Sequence, residues 1–128
     1  MTRATPERDR NDDQDLYGGL IRLHILHHAS EEPIFGLWVI EELRRHGYKL
    51  SPGTLYPMLH GMERKGYLES YVDPADGRRR RMYRATRAGR AALRAAHSKV
   101  RELFGELIEE RERSKTSRTS RGRGKSAR

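Results

Sequence analysis

The sequence predicts a mainly α-helical chain with one small β-hairpin. Two observations carry this. Apolar residues recur at helical spacing in four separate stretches, at 16–26, 37–43, 55–62 and 93–107. Between the last two, the pattern changes to alternation on either side of Asp73-Pro74-Ala75-Asp76-Gly77, a composition that favours a turn. At 128 residues the chain has room for one domain with tails. A domain of this size buries a modest core, so association with a second copy would add stability.

Lysine and arginine total 27 against 18 acidic residues, a net charge of +9. That balance points to an anionic partner, either nucleic acid or an anionic membrane surface. Six of the cations (Lys115, Arg118, Arg121, Arg123, Lys125 and Arg128) stand in residues 114–128, which contain no acidic residue and so leave +3 on the rest. A nucleic-acid face on the body must therefore come from local placement of charge. No apolar run approaches the about 18 residues of a membrane span, and there is no signal-peptide pattern, so no membrane association is expected and cytoplasm is the default compartment. The absence of cysteine excludes disulfides and thiolate metal sites.

Residues 1–14 are polar and of mixed charge and read as a disordered N-terminal arm. The first helix is expected from Asp15 to about Ala29. Leu16, Leu20, Ile21, Leu23, Ile25 and Leu26 cover more than half its circumference, which implies burial on two sides, by its own domain and by a partner subunit. His24 and His28, four apart, share a face at metal-pair spacing, with His27 beside them. No carboxylate pair or cysteine accompanies them, so no metal and no cofactor is assigned. Glu31-Glu32-Pro33 breaks the pattern and Ile34-Phe35 suits a very short strand. A second helix runs from Gly36 to His46 with Gly47 as its stop, burying Leu37, Val39, Ile40 and Leu43 and leaving Trp38 on the opposite side.

Ser51 should cap the third helix with its hydroxyl, and Pro52 suits its first position. Leu55, Met58, Leu59 and Met62 form its apolar back. Thr54, Tyr56, His60, Arg64 and Lys65 form the front, and Gly66 ends it. Two short helices joined by a turn, the second with a basic, hydroxyl-bearing front, make a helix-turn-helix. The strands at 67–72 and 79–84 then make a wing. Arg78, Arg79, Arg80 and Arg81 crowd its tip and return strand, where a polyanion would relieve their repulsion. Thr86 caps the last helix. Along it Leu93, Ala96, Val100, Leu103 and Leu107 follow at steps of three and four, a seam that favours packing on other helices. That helix is expected to end near Arg113, and residues 114–128 read as a disordered basic tail.

The run from Ser51 to Tyr67 resembles the PadR family of bacterial winged-helix transcription regulators, whose hallmark is Ser-Pro-x-Thr-Leu-Tyr-Pro. Ala85-Thr86-Arg87-Ala88-Gly89 is similar to the same family's Ala-Thr-x-Ala-Gly, whereas Phe35-Gly36-Leu37 stands where those proteins often read His-Gly-Tyr. The resemblance implies a short subtype with one C-terminal helix. Its domains would be a winged helix-turn-helix DNA-binding domain at 15–85 and a dimerisation helix at 86–113. It also implies a cytoplasmic homodimeric repressor of transcription, released by a small, often aromatic, effector near the dimer interface. On this reading Ser51, Thr54, Tyr56, His60, Arg64, Lys65, Arg78, Arg79 and Arg80 contact double-stranded DNA. Leu16, Leu20, Leu93, Val100, Leu103 and Leu107 form the dimer, and Trp38 is the candidate for the effector. Two other readings are open: a metal-responsive regulator using the first-helix histidines, and a nucleoid-type protein without sequence preference. No nucleophile–base pair, Gly-rich phosphate loop or carboxylate pair suggests an enzyme.

Overall fold

The structure, a computed structural model, describes residues 10–74 and 79–123. These form α1 (Arg10–Glu31), β1 (Ile34–Phe35), α2 (Gly36–Arg45), α3 (Pro52–Arg64), β2 (Leu68–Asp73), β3 (Arg80–Ala85) and α4 (Arg87–Arg123). The chain divides into two compact units, Met1–Leu93 and Arg94–Arg128, so residues 87–93 of α4 belong with the first.

Helices α2 and α3 end alike. Gly47 and Gly66 take positive φ (94° and 85°). After α2 the Gly47 and Tyr48 amides donate back to the Arg44 and Leu43 carbonyls, and after α3 the Gly66 and Tyr67 amides donate to Glu63 and Met62. This paired closure satisfies the last carbonyls of a helix and needs a residue without Cβ at the turn. The predicted cap at Ser51 differs. Its backbone is extended as a cap requires, but its hydroxyl accepts no backbone N–H. The Thr54 N–H already donates to the Ser51 carbonyl (3.0 Å), and the Ser51 hydroxyl turns instead toward Thr54 Oγ1 at 3.4 Å.

Both outer helices exceed their predicted lengths. α1 begins at Arg10 rather than Asp15, which makes residues 10–14 of the expected arm helical. α4 continues past Arg113 to Arg123, so residues 114–123 of the expected tail are helical as well. The rest of the arm (1–9) and of the tail (124–128) lies outside the described residues.

The wing strands belong to a three-stranded antiparallel sheet in the order β1-β3-β2. β1 pairs Ile34 with Tyr83 and Phe35 with Met82, and the β2–β3 hairpin runs from Leu68↔Ala85 to Asp73↔Arg80. One core lies beneath it, built from Ile21, Ile25, Leu26 and Ala29 of α1, Val39, Ile40 and Leu43 of α2, the predicted stripe of α3, and Leu68, Tyr83 and Ala85. Leu93, which the sequence placed in the dimer seam, is partly buried and packs against this core.

Tyr83 is wholly buried, and its hydroxyl finds no partner among the described residues. Burial, reinforced by Glu63 and against the pull of Arg81, pushes its phenol pKa up. A buried hydroxyl left unbonded costs about 1–3 kcal/mol. Tyr83→Phe keeps the ring and removes that cost, so urea unfolding should show equal or greater stability. A loss above about 1 kcal/mol would mean the hydroxyl is bonded.

Candidate nucleic-acid interface

Helices α2 and α3 form the helix-turn-helix, and their contact is set by glycine. A Cβ on buried Gly36, the first residue of α2, would run into the Tyr56 hydroxyl and ring of α3. The Tyr56 ring therefore lies over the start of α2 and remains partly exposed. With Leu55, Met58, Leu59 and Met62 buried, α3 turns Ser51, Tyr56, His60, Arg64 and the capping Lys65 to solvent, and Thr54 is half-buried. Tyr56 and His60 lie side by side, with ring centroids 6.3 Å apart. The predicted front is thus exposed apart from the half-buried Thr54, and its cations gather at the C-terminal end.

On the wing, Arg79 is exposed and Arg78 lies outside the described residues. Arg80, a predicted DNA contact, is half-buried. Its guanidinium sits 4.2 Å over the Phe35 ring, a cation–π contact that ties β3 to β1. Arg81 donates to Ser70 Oγ at 3.0 Å, and Ser70 in turn donates to Glu63 of α3 at 2.7 Å, which fixes the wing to α3. Arg84 pairs with Glu69 at 2.8 Å and lies over Tyr71.

A second arrangement joins α1 to α2. His24 and His28 of α1 face Glu42 and His46 of α2 and its cap. The His24 and His46 rings stack with centroids 4.9 Å apart, and Glu42 Oε2 lies 3.2 Å from His46 Nε2 and 3.6 Å from His28 Nε2. Burial lowers the His24 pKa, helped by His46, His28 and His27 and opposed by Glu42. Burial also lowers that of His28, helped by His27 and His46 and opposed by Glu42 and Glu31. Trp38, the predicted effector residue, sets its edge against His28 at 5.3 Å. His46 and Glu42 were missed in the sequence, although their own spacing of four was visible there.

A cleft of about 440 Å³ opens between α1 and α3, away from Trp38. Leu23, Leu26, Met58 and Met62 give it an apolar lining, with Arg22, Arg64 and Lys65 among its walls. Of the predicted dimer residues, Leu16 and Leu20 on α1 are exposed at 69% and 44%, and on α4 Val100, Leu103 and Leu107 are exposed at 43%, 55% and 60%. Phe104 and Ile108 extend that α4 surface. No helix among the described residues is long and apolar enough to cross a membrane.

Residues 25–95 match the family model described as "Transcriptional regulator PadR-like family". Over 88 residues the chain is 53% identical to the transcriptional regulator Rv3488 of Mycobacterium tuberculosis (strain ATCC 25618 / H37Rv), spanning 69% of this chain and 82% of that protein. The crystal structure of a PadR family transcriptional regulator from Eggerthella lenta DSM 2243 superposes with a TM-score of 0.64 at 30% identity, over 74% of this chain and 87% of the other. A PadR-like transcriptional regulator from Bacillus cereus strain ATCC 14579 shares the fold at a TM-score of 0.63 and 24% identity, over 73% and 96% of the two chains.

Proposed function

Because the chain belongs to the PadR-like family of transcriptional regulators, we propose that it is a homodimeric, sequence-specific DNA-binding repressor released by a small-molecule effector. The observation that carries this is the two-sided character of α3: an apolar back sunk in the core and an exposed front of Ser51, Tyr56, His60, Arg64 and Lys65. Such a helix enters a major groove with its front toward the bases, and Thr54 and the helix amides take phosphates near its N-terminus. Arg79 on the wing reaches the flanking backbone, with Arg78 beside it in sequence. Arg80 supports the wing from Phe35 rather than touching DNA. Two copies related by a two-fold axis read half-sites about 34 Å apart.

Each copy covers the exposed apolar residues of the other, Leu16 and Leu20 on α1 and Val100, Leu103 and Leu107 on α4. For the effector, the cleft between α1 and α3 is a better place than Trp38. Its volume lies in the range of small-molecule sites, and its apolar lining with Arg22, Arg64 and Lys65 suits a small aromatic anion. Occupancy there would compete for Arg64 and Lys65, two of the proposed DNA contacts, which gives release a physical route.

Fluorescence anisotropy with DNA from upstream of its own coding region, beside random DNA at two salt concentrations, tests this. The expected preference is about 10³ or more at physiological salt. Tyr56→Ala should lower affinity for the preferred DNA by at least about tenfold, the effect of one lost base-pair contact. Tyr56→Phe, which keeps the ring over Gly36, separates loss of that packing from loss of the hydroxyl. Equal binding to both DNAs, collapsing with salt, would favour the non-specific reading instead.

A further inference from the structure

We propose that His24, His28 and His46, with Glu42 as fourth ligand, bind one divalent transition-metal ion of the zinc type and so clamp α1 to α2. One ring nitrogen from each of the three histidines lies within 4.8 Å of the other two. Ligand atoms around a tetrahedral zinc, each about 2.0–2.1 Å from the ion, stand roughly 3.4 Å apart. The Glu42 oxygen already meets that spacing, at 3.2 Å from His46 and 3.6 Å from His28.

The framework is two i,i+4 pairs facing each other. His24 and His28 stand one turn apart on α1; Glu42 and His46 stand one turn apart on α2 and its cap. His46 is placed by the glycine closure after α2, since its neighbour Gly47 donates back to Arg44. Tyr48 sets its edge 5.4 Å from the His24 ring, and Trp38 walls the His28 side. His46 is the most exposed of the three, at 44% of its side chain, which leaves an entry path. Three imidazoles and one carboxylate form a borderline donor set that suits zinc, nickel, cobalt or copper and not magnesium or calcium. A second group, His27, His28 and Glu31, shares His28, but His27 and Glu31 are largely exposed and lie on α1 alone. The half-buried group that spans two helices is the better site.

Binding of the ion does not depend on the DNA-binding reading, and its test uses no DNA. The full chain is stripped with a chelator and titrated with zinc chloride in a calorimeter. One equivalent should bind, and the melting midpoint should rise in its presence. His24→Ala and His46→Gln should each weaken binding by more than the roughly 100-fold that loss of an outer-sphere partner costs. His27→Ala should leave it unchanged. Cobalt in place of zinc should give the visible absorption bands of a tetrahedral centre, lost in Glu42→Gln. That variant keeps the side-chain volume and serves if either histidine variant fails to fold. Absence of saturable binding would overturn the proposal and leave a stacked, hydrogen-bonded cluster. Binding lost in His27→Ala but retained in His46→Gln would overturn it in favour of the exposed group on α1.

Discussion

Gly89→Ala should lower the unfolding free energy by about 3 kcal/mol and the melting midpoint by roughly 15 °C. The sign is diagnostic, because the same change in an ordinary helix interior stabilises by about 1 kcal/mol. Gly89 lies in the first turn of α4, and a Cβ there would run into the Tyr67 carbonyl oxygen. It would also stand 3.0 Å from the carbonyl carbon and 3.2 Å from Leu26 Cδ2. That carbonyl cannot yield without cost, since it accepts the Thr86 N–H at 3.0 Å. The Thr86 hydroxyl donates to the Gly66 carbonyl and accepts the Gly89 N–H at 2.9 Å. Helix start, strand start and the turn after α3 thus meet at one joint, and the methyl group would wedge it open. Thr86→Ala, which removes the cap and leaves the approach intact, should cost less, about 1–2 kcal/mol. Urea unfolding of both variants checks the order. A Gly89→Ala variant as stable as the wild type would rule out the close approach.

The larger effect on association should come from Leu103→Glu combined with Leu107→Glu. These leucines and their neighbours Val100, Phe104 and Ile108 form an exposed apolar stripe on a helix otherwise rich in charge. A contiguous surface of that kind marks an interaction site. If a second copy covers it, placing two carboxylates there brings four like charges into one desolvated seam. Sedimentation equilibrium should then show a dimer for the wild type and a monomer for the double variant. Affinity for the preferred DNA should fall to that for random DNA, a loss of about 10³ or more, because one half-site no longer recruits the other. The substituted side chains are exposed within their own unit, so the variant should still fold, its melting midpoint lowered only by the stability that association contributes. A wild-type monomer, or a variant that remains dimeric, would remove the stripe from the interface.

What could be read from sequence was local. The α3 stripe, the glycine stops at Gly47 and Gly66, the Thr86 cap and the hairpin around Asp73–Gly77 depend on residues a few positions apart. Periodicity and backbone preference report such relations directly. What escaped depends on residues that meet only after the chain folds. β1 joins the sheet through Ile34 and Tyr83, almost fifty positions apart, and no local pattern marks that pairing. His46 reaches His24 because two helices cross, and Tyr56 settles over Gly36 for the same reason. Leu93 continues the heptad spacing yet faces its own core, since spacing gives a face but not its partner. Arg80 looked like one more wing cation until Phe35 arrived beneath it. The front of α3 was readable because its back was; the cleft between α1 and α3 was not, because its walls come from distant segments.

The short reach of β1 has a bearing on solubility. Among the described residues, only Met82 and Tyr83 of β3 are paired on that side, and the part of the β3 edge nearer the tip has no neighbouring strand there. An open strand edge invites another chain to add to it, the first step of aggregation. This stretch carries Arg80 and Arg81, and an incoming copy would bring the same two cations against them. Charge repulsion therefore guards an edge that hydrogen bonding leaves open. A wing rich in arginine would thus keep copies of the protein from joining at the sheet, whatever covers the apolar stripe of α4.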